Sequence, residues 1–338
     1  MAIFKTRGRA AYIASGDTTP IFDHIAVWAA DTEQTAKFLT EVMGWKRHPT
    51  VIRVDDAEKT TGGMIGTFFD APGLWIELIE PTTPGPGKDI LDRLGDGALV
   101  EINFDVGQAY GLALNKLAAR GVEMLSMDGS PLVDGGTIDE GVFDGGEIQN
   151  PGQRIAYFPT DLTGGTTVEY YEVLTEDEGS LILERDRNWQ DELRSPGTPW
   201  IDYVAIVTDD AAHASKFFAE YMGLKTDPIV SHADGSRSCL VDANGADERK
   251  LWLRLVEPAA GSQAEATMAL RGAGHILELG VLVEDLSKFA VHAASHGIKI
   301  IDSAGAVIQK FEGVSECWID HADSQGIPIH LHAASVAS

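Results

Sequence analysis

Residues 21–49, IFDHIAVWAADTEQTAKFLTEVMGWKRHP, return as residues 200–228, WIDYVAIVTDDAAHASKFFAEYMGLKTDP. Lys37, Phe38, Glu41, Met43, Gly44, Lys46 and Pro49 recur as Lys216, Phe217, Glu220, Met222, Gly223, Lys225 and Pro228. Two later pairs agree: LWIELIEP (74–81) with LWLRLVEP (251–258), and GDGALVEINFDV (95–106) with GAGHILELGVLV (272–283). Self-similarity at a fixed long spacing marks a duplicated structural unit and fixes which positions are equivalent. Differences between equivalent positions then carry information.

Each half divides again into a strand, a helix and further strands. FDHIAVWA alternates as a half-buried strand does, and Asp31-Thr32 opens a helix whose Ala36, Phe38, Leu39, Val42 and Met43 form an apolar face. Gly44 ends it. GMIGTFFDA and LWIELIE, separated by Pro72-Gly73, form a hairpin. The second unit repeats the plan with LVEINFDV, a helix over 111–120, and RIAYFPTD and TTVEYYEV around Gly164-Gly165; the last closes with ECWIDH and IPIHLH around Gly326. The pattern predicts an α+β chain of four βαβββ modules, at 21–81, 95–175, 199–258 and 272–333. A charged connector over 174–199 carries one short helix.

Composition narrows the partners. A formal charge of -26 over 338 residues, with a pI near 4.6, repels nucleic-acid phosphates and anionic membranes. Two cysteines, Cys239 and Cys317, supply no disulfide framework and suit a reducing cytoplasm. The opening residues 1–20 hold only a brief apolar patch, too short for a signal-peptide core, and no stretch is long enough to span a membrane. A small-molecule partner, with a homodimer as the oligomeric expectation, fits these bounds.

The opening HIAV…F…MGWK and the closing RIAYFPTD…GGTTVE resemble the vicinal oxygen chelate superfamily, which includes glyoxalase I, methylmalonyl-CoA epimerase, extradiol dioxygenases and bleomycin or fosfomycin resistance proteins. The resemblance covers nearly the whole chain. It implies modules pairing into two cupped, incomplete β-barrels: an extension over 1–20, a glyoxalase-like domain over 21–175, a linker over 176–198 and a second such domain over 199–333. It also implies a divalent metal, one of Zn, Ni, Co, Mn or Fe(II), held in a cup by residues of the first and last strands of each module.

By that resemblance the metal positions fall on His24 and Glu77 in the first module, Glu101 and Glu169 in the second, Tyr203 and Arg254 in the third, and Glu278 and His330 in the fourth. Arg254 offers no lone pair, so the third module cannot complete an ordinary metal site. Pairing of neighbours gathers His24, Glu77, Glu101 and Glu169. Pairing of the outer modules gathers His24, Glu77, Glu278 and His330, a two-His, two-carboxylate set whose composition favours it. Glu101 and Glu169 could instead neutralise Arg254. His321 and His332 fall at the surface or rim, with His332 on the same strand face as His330.

A metal so held acts on a substrate with adjacent oxygens, polarising a carbonyl so that a carboxylate can take the neighbouring proton. The resemblance therefore implies a lyase or isomerase working through a metal-stabilised enediolate, with Glu77 and Glu169 as catalytic groups. An Fe(II) ring-cleaving dioxygenase and a non-catalytic small-molecule binder are the alternatives. Trp28, Trp75, Tyr157, Tyr170 and Tyr171 offer an aromatic wall for an aromatic ligand, or simply core packing. The glycine-rich acidic stretch over 135–146 is either a lid or a surface excursion.

Overall fold

The computed structural model describes residues 19–54, 63–106, 109–126, 129–132, 137–138, 142–144, 153–173, 198–243 and 251–333. The expected connector helix and most of the opening extension lie outside them. In the first half, β1 (Ile21–Trp28) leads into α1 (Thr32–Lys37), where the Asp31 carboxylate accepts from Gln34 N–H, satisfying an otherwise unpaired donor of the first turn. A single π-helical turn over Phe38–Val42 extends α1, with the Thr40 hydroxyl bonded back to Ala36 O. Its buried residues are those of the expected apolar face, and Gly44 takes φ +70° just beyond it. There follow β2 (Lys46–Val54), β3 (Met64–Ala71), β4 (Leu74–Pro81), α2 (Pro86–Leu94), β5 (Leu99–Asp105), α3 (Tyr110–Ala118), β6 (Thr137–Ile138), β7 (Val142–Asp144), β8 (Gln153–Tyr157) and β9 (Val168–Val173).

The second half repeats this order with β10 (Trp200–Val207), α4 (Ala211–Glu220), β11 (Lys225–Thr226), β12 (Val230–Ser231), β13 (Arg237–Asp242), β14 (Trp252–Glu257), α5 (Gln263–Arg271), β15 (Ile276–Val283), α6 (Leu286–Ser295), β16 (Ile300–Ile301), β17 (Glu316–Ile319) and β18 (Ile329–Ala333). Among the described residues no helix is long and apolar enough to cross a membrane.

Two mixed sheets result, one per half. The first runs β6-β8-β9-β5-β1-β4-β3-β2-β7, and the second β11-β13-β14-β10-β15-β18-β17-β16 with β12 on β13. Antiparallel pairing of β1 with β5, and of β10 with β15, joins neighbouring modules. The pairing of outer modules favoured from ligand composition is thereby corrected: His24 and Glu77 lie on one sheet, Glu278 and His330 on the other. The physical reason is that each half closes its own sheet by pairing the first strands of its two modules, so the described strands of one half pair only with strands of that half.

Of the glycine-rich stretch over 135–146 only Thr137–Ile138 and Val142–Asp144 are described, one at each edge of the first sheet, and the choice between lid and surface excursion lies outside the described residues. β6 pairs with β8 at one end and β7 with β2 at the other. Rings from β9 (Tyr171) and β3 (Phe68), each two strands away from β1, both meet His24, so the sheet curls into a cup around it.

Outside the cups, both sheets and their helices share one apolar core. Phe22, Ile25, Phe104 and Phe158 of the first half join Val204, Phe217, Phe218 and Leu279 of the second. Phe217 of α4 meets Phe158 edge-on at 4.9 Å, and Phe218 lies 6.4 Å from Phe104. The halves are related approximately as two-fold partners. Phe22 N–H donates to Ala243 O, and at the equivalent position Ile201 N–H donates to Pro72 O. At the far end Gly97 meets Gly326 while Gly274 meets Gly165, so close that a Cβ on Gly97 would lie 2.1 Å from the Gly326 oxygen.

This contact explains why glycine is used there. Gly97 has φ +69° and touches backbone, so neither its conformation nor its neighbour can yield to a side chain. Gly97→Ala is expected to cost at least about 2 kcal/mol in denaturant unfolding. Gly111→Ala, on α3 with nothing within 4 Å of the new Cβ, should be neutral or stabilise by up to about 1 kcal/mol. Equal effects would show that the interdomain contact is not tight.

Candidate functional site

Strand register places the first cup's polar residues on one face. Tyr157 pairs with Glu169, Glu169 with Asn103, Asn103 with His24, and His24 with Trp75. One step along, Glu101 and Glu77 flank Ala26. Because side chains alternate along a strand, all of these project into the cup. His24 Nδ1 lies 2.8 Å from Asp23 Oδ2, and His24 Nε2 lies 3.6 Å from Glu77 Oε2. An acid on one ring nitrogen fixes the tautomer and turns the other nitrogen toward the site, the arrangement used to orient metal-binding imidazoles.

The electrostatics follow from burial. Glu77 is 8% exposed, and desolvation pushes its carboxyl up to about 7, with His24 opposing and Glu101 reinforcing. Glu169 stands well above the ordinary carboxylate range through burial and Glu101's repulsion, and Glu101 is raised mainly by burial. The Tyr157 hydroxyl lies beside Glu101 and Glu169 and is itself raised, first by burial and then by the two acids. Burial works against protonation of His24, but Asp23, Glu77 and Glu101 together raise it. Asn103 is fully buried with neither amide atom in hydrogen-bond geometry. Its influence on Glu101 is therefore one of proximity rather than a formed bond.

The second cup departs from this. Tyr203, at the position of His24, donates to Glu278 Oε1 at 2.8 Å and lies 2.5 Å from His330 Nδ1. Trp318 Nε1 donates to the other Glu278 oxygen at 3.1 Å, and Arg254 stands 3.8 Å from Glu278. Arg254 thus meets the carboxylate of its own half rather than Glu101 or Glu169. His332, at the rim, pairs with Asp202 at 2.9 Å and stacks on Tyr203, while His321 is exposed.

The aromatic wall resolves unevenly. Tyr171 and Phe68 approach His24 edge-on at 5.6 and 5.8 Å, and Trp75 joins Phe68. Tyr170 faces the other way, into the core against Phe158, as strand alternation demands of the residue beside Tyr171. Trp28 packs with Leu91 and Leu94 of α2. Sequence reasoning passed over Asp23 and Asn103, and took Tyr157 for a wall rather than a partner of two acids. The signals were present: Asp23 adjoins His24, and Asn103 follows Glu101 by two on a strand.

The donor chemistry suits a divalent cation: one oriented imidazole, two buried carboxyls and the half-buried Glu101, short of positive charge, beside an orphaned amide. Among the described residues no three His, Cys, Asp or Glu side chains are already closed to metal-binding spacing. The donors are gathered on one face but not clasped. His24, Glu77, Glu101 and Glu169 are the groups that would hold the ion.

Glu77's elevated pKa makes stability depend on pH. An acid whose folded pKa exceeds its unfolded value of about 4.3 keeps its proton better when folded, so its contribution is full below that value and is lost as pH rises through about 7. EDTA-treated protein should lose more stability between pH 5 and pH 8 than Glu77→Gln does, read from urea midpoints. Identical pH dependence in the two proteins would contradict the burial of an uncompensated Glu77.

Comparisons with known proteins agree with this architecture. No curated protein matches the chain in sequence. A mutant of 4-hydroxymandelate synthase from Streptomyces coelicolor superposes with a TM-score of 0.61 at 12% identity, covering 94% of each chain. The 2,3-dioxygenase LapB from Pseudomonas sp. KL28 gives 0.51 at 14% identity, again over 94% of each chain. At such identities the likeness is one of fold. The sequence profile described as "Glyoxalase/Bleomycin resistance protein/Dioxygenase superfamily" matches residues 21–131 and 200–309. The chain belongs to that superfamily, as two tandem glyoxalase-like domains.

Proposed function

We propose that the first cup is the active site of a divalent-metal-dependent lyase or isomerase acting on a small organic substrate with adjacent oxygens. The observation that supports this most directly is the Asp23–His24–Glu77 array, in which an oriented imidazole faces a carboxyl whose pKa lies near neutrality. A bound divalent cation supplies Lewis-acid polarisation of the substrate oxygens. Asp23 holds His24 by Nδ1. Glu77 takes the proton next to the carbonyl, a transfer that burial of its carboxyl favours. Glu169, across the cup, exchanges a proton on the opposite face. Tyr157 sets its hydroxyl beside Glu169 and Glu101. Trp75, Phe68 and Tyr171 give the substrate an apolar wall and limit water.

Oxidative ring cleavage ranks below this reading. It calls for two imidazoles and one carboxylate about the iron, and the first cup brings one imidazole to three acids. The two-imidazole set required the outer pairing, which the sheets do not adopt.

Titration calorimetry of EDTA-treated protein with Mn(II), Ni(II), Co(II) and Zn(II) tests the assignment. Binding of at least one of these ions, with protons released, is expected. Asp23→Ala should weaken it by roughly 10–100-fold, the usual effect of removing a group that orients a ligand, and His24→Ala by more. Unchanged affinity in both variants would overturn the proposal, and turnover that consumes oxygen would replace it with ring cleavage.

A further inference from the structure

The second cup has become a different device. Tyr203 and Gly280 stand where the first cup has His24 and Asn103, and the exchange is mutual. A Cβ on Gly280 would lie 2.0 Å from a Tyr203 ring carbon, so the phenol can cross the sheet only because position 280 has no side chain. Tyr203 has one proton, and it goes to Glu278 Oε1 at 2.8 Å. The remaining Glu278 oxygen accepts from Trp318 Nε1. With its proton committed, the phenol oxygen can only accept at its 2.5 Å contact with His330, so His330 Nδ1 carries the hydrogen.

The consequence falls on the far side of the ring. Burial holds His330 below the ordinary histidine range; Glu278 and Glu316 oppose this, while His332 and Arg254 add to it. A ring with a single proton, placed on Nδ1, leaves Nε2 as a bare lone pair. His330 is 8% exposed, and Nε2 makes no hydrogen bond. The carboxylate facing it, Glu316 Oε2 at 3.5 Å, is another acceptor and cannot satisfy it. Trp318 stacks on the imidazole at 4.5 Å and keeps it from turning. Arg254, whose side chain is 35% exposed, adds a cation in the same cup.

We propose that Glu278, Tyr203 and His330 form a metal-independent proton-accepting site, in which His330 Nε2 is the base and a small carboxylate-bearing carbon acid is the class of substrate. Arg254 receives the carboxylate. Nε2 takes a proton from the carbon beside a carbonyl, and the electron pair of the broken C–H bond moves into that carbonyl as an enolate. Return of a proton from Nε2 re-forms the C–H bond, with nothing oxidised or reduced. Tyr203 and Glu278 are positioning residues that act through the tautomer of His330. This site shares no residue with the first cup.

The test uses the full chain treated with EDTA, so that metal chemistry is silent, with pyruvate as the probe in deuterium oxide. Proton NMR should show the methyl signal exchanging at least about tenfold faster than in protein-free solution. His330→Gln should abolish the excess, and Tyr203→Phe should cut it severalfold or more. Nitrogen-15 NMR of the wild-type protein should find His330 protonated on Nδ1, with the proton shifting toward Nε2 in Tyr203→Phe. Exchange no faster than the protein-free rate, exchange that survives His330→Gln, or an Nε2-protonated ring in the wild type would each overturn the proposal. None of these results bears on metal binding by His24.

Discussion

Everything in the first cup depends on the antiparallel pairing of β1 with β5. That ladder sets His24 beside Asn103 and Glu101 beside Ala26, and through the parallel neighbours β4 and β9 it brings in Glu77 and Glu169. A slip of β5 by one residue would turn Glu101 and Asn103 into the apolar core and Ile102 and Phe104 into the cup. The apolar residues on the outer face therefore hold the register. Their burial stabilises the one pairing in which the acids converge.

Convergence of acids is costly unless something compensates. Desolvation lifts Glu77, Glu101 and Glu169 together, and the partners in reach are His24, Tyr157 and the amide of Asn103. A fold selected only for stability would fill such a cup with apolar side chains, as it does behind the sheet. Retention of a polar, strained electrostatic environment is the pattern expected of a functional site.

The duplication makes the second cup a natural control. The same ladder, β10 with β15, delivers Glu278 to the position of Glu101 and His330 to that of Glu169. Even the neighbouring polar aromatic is preserved in place: Tyr157 lies beside Glu101, and Trp318 bonds to Glu278. Yet substitution of His24 by Tyr203 and of Glu77 by Arg254 converts an acid-rich cup into one that carries a cation of its own. The scaffold sets where side chains point; the residue at each point sets the chemistry.

Much of this was legible in the chain alone. The repeat, the α+β class, the helix capped by Asp31 and ended by Gly44, and the hairpin at Gly73 all rest on local patterns or on equivalence between copies, which a sequence displays directly. Pairing of modules was not legible, because counting ligands weighs composition, whereas strand order depends on which apolar faces meet. Nor were Asp23 and Asn103, whose importance lies in which atom they approach, or the choice between Tyr170 and Tyr171, which alternation leaves open until one face is known to be buried. The sequence by itself determined the units and the residue types available to each cup. Only the tertiary structure decided which residues share a cup and which proton each holds, since both depend on distances of a few ångströms between segments far apart in the chain.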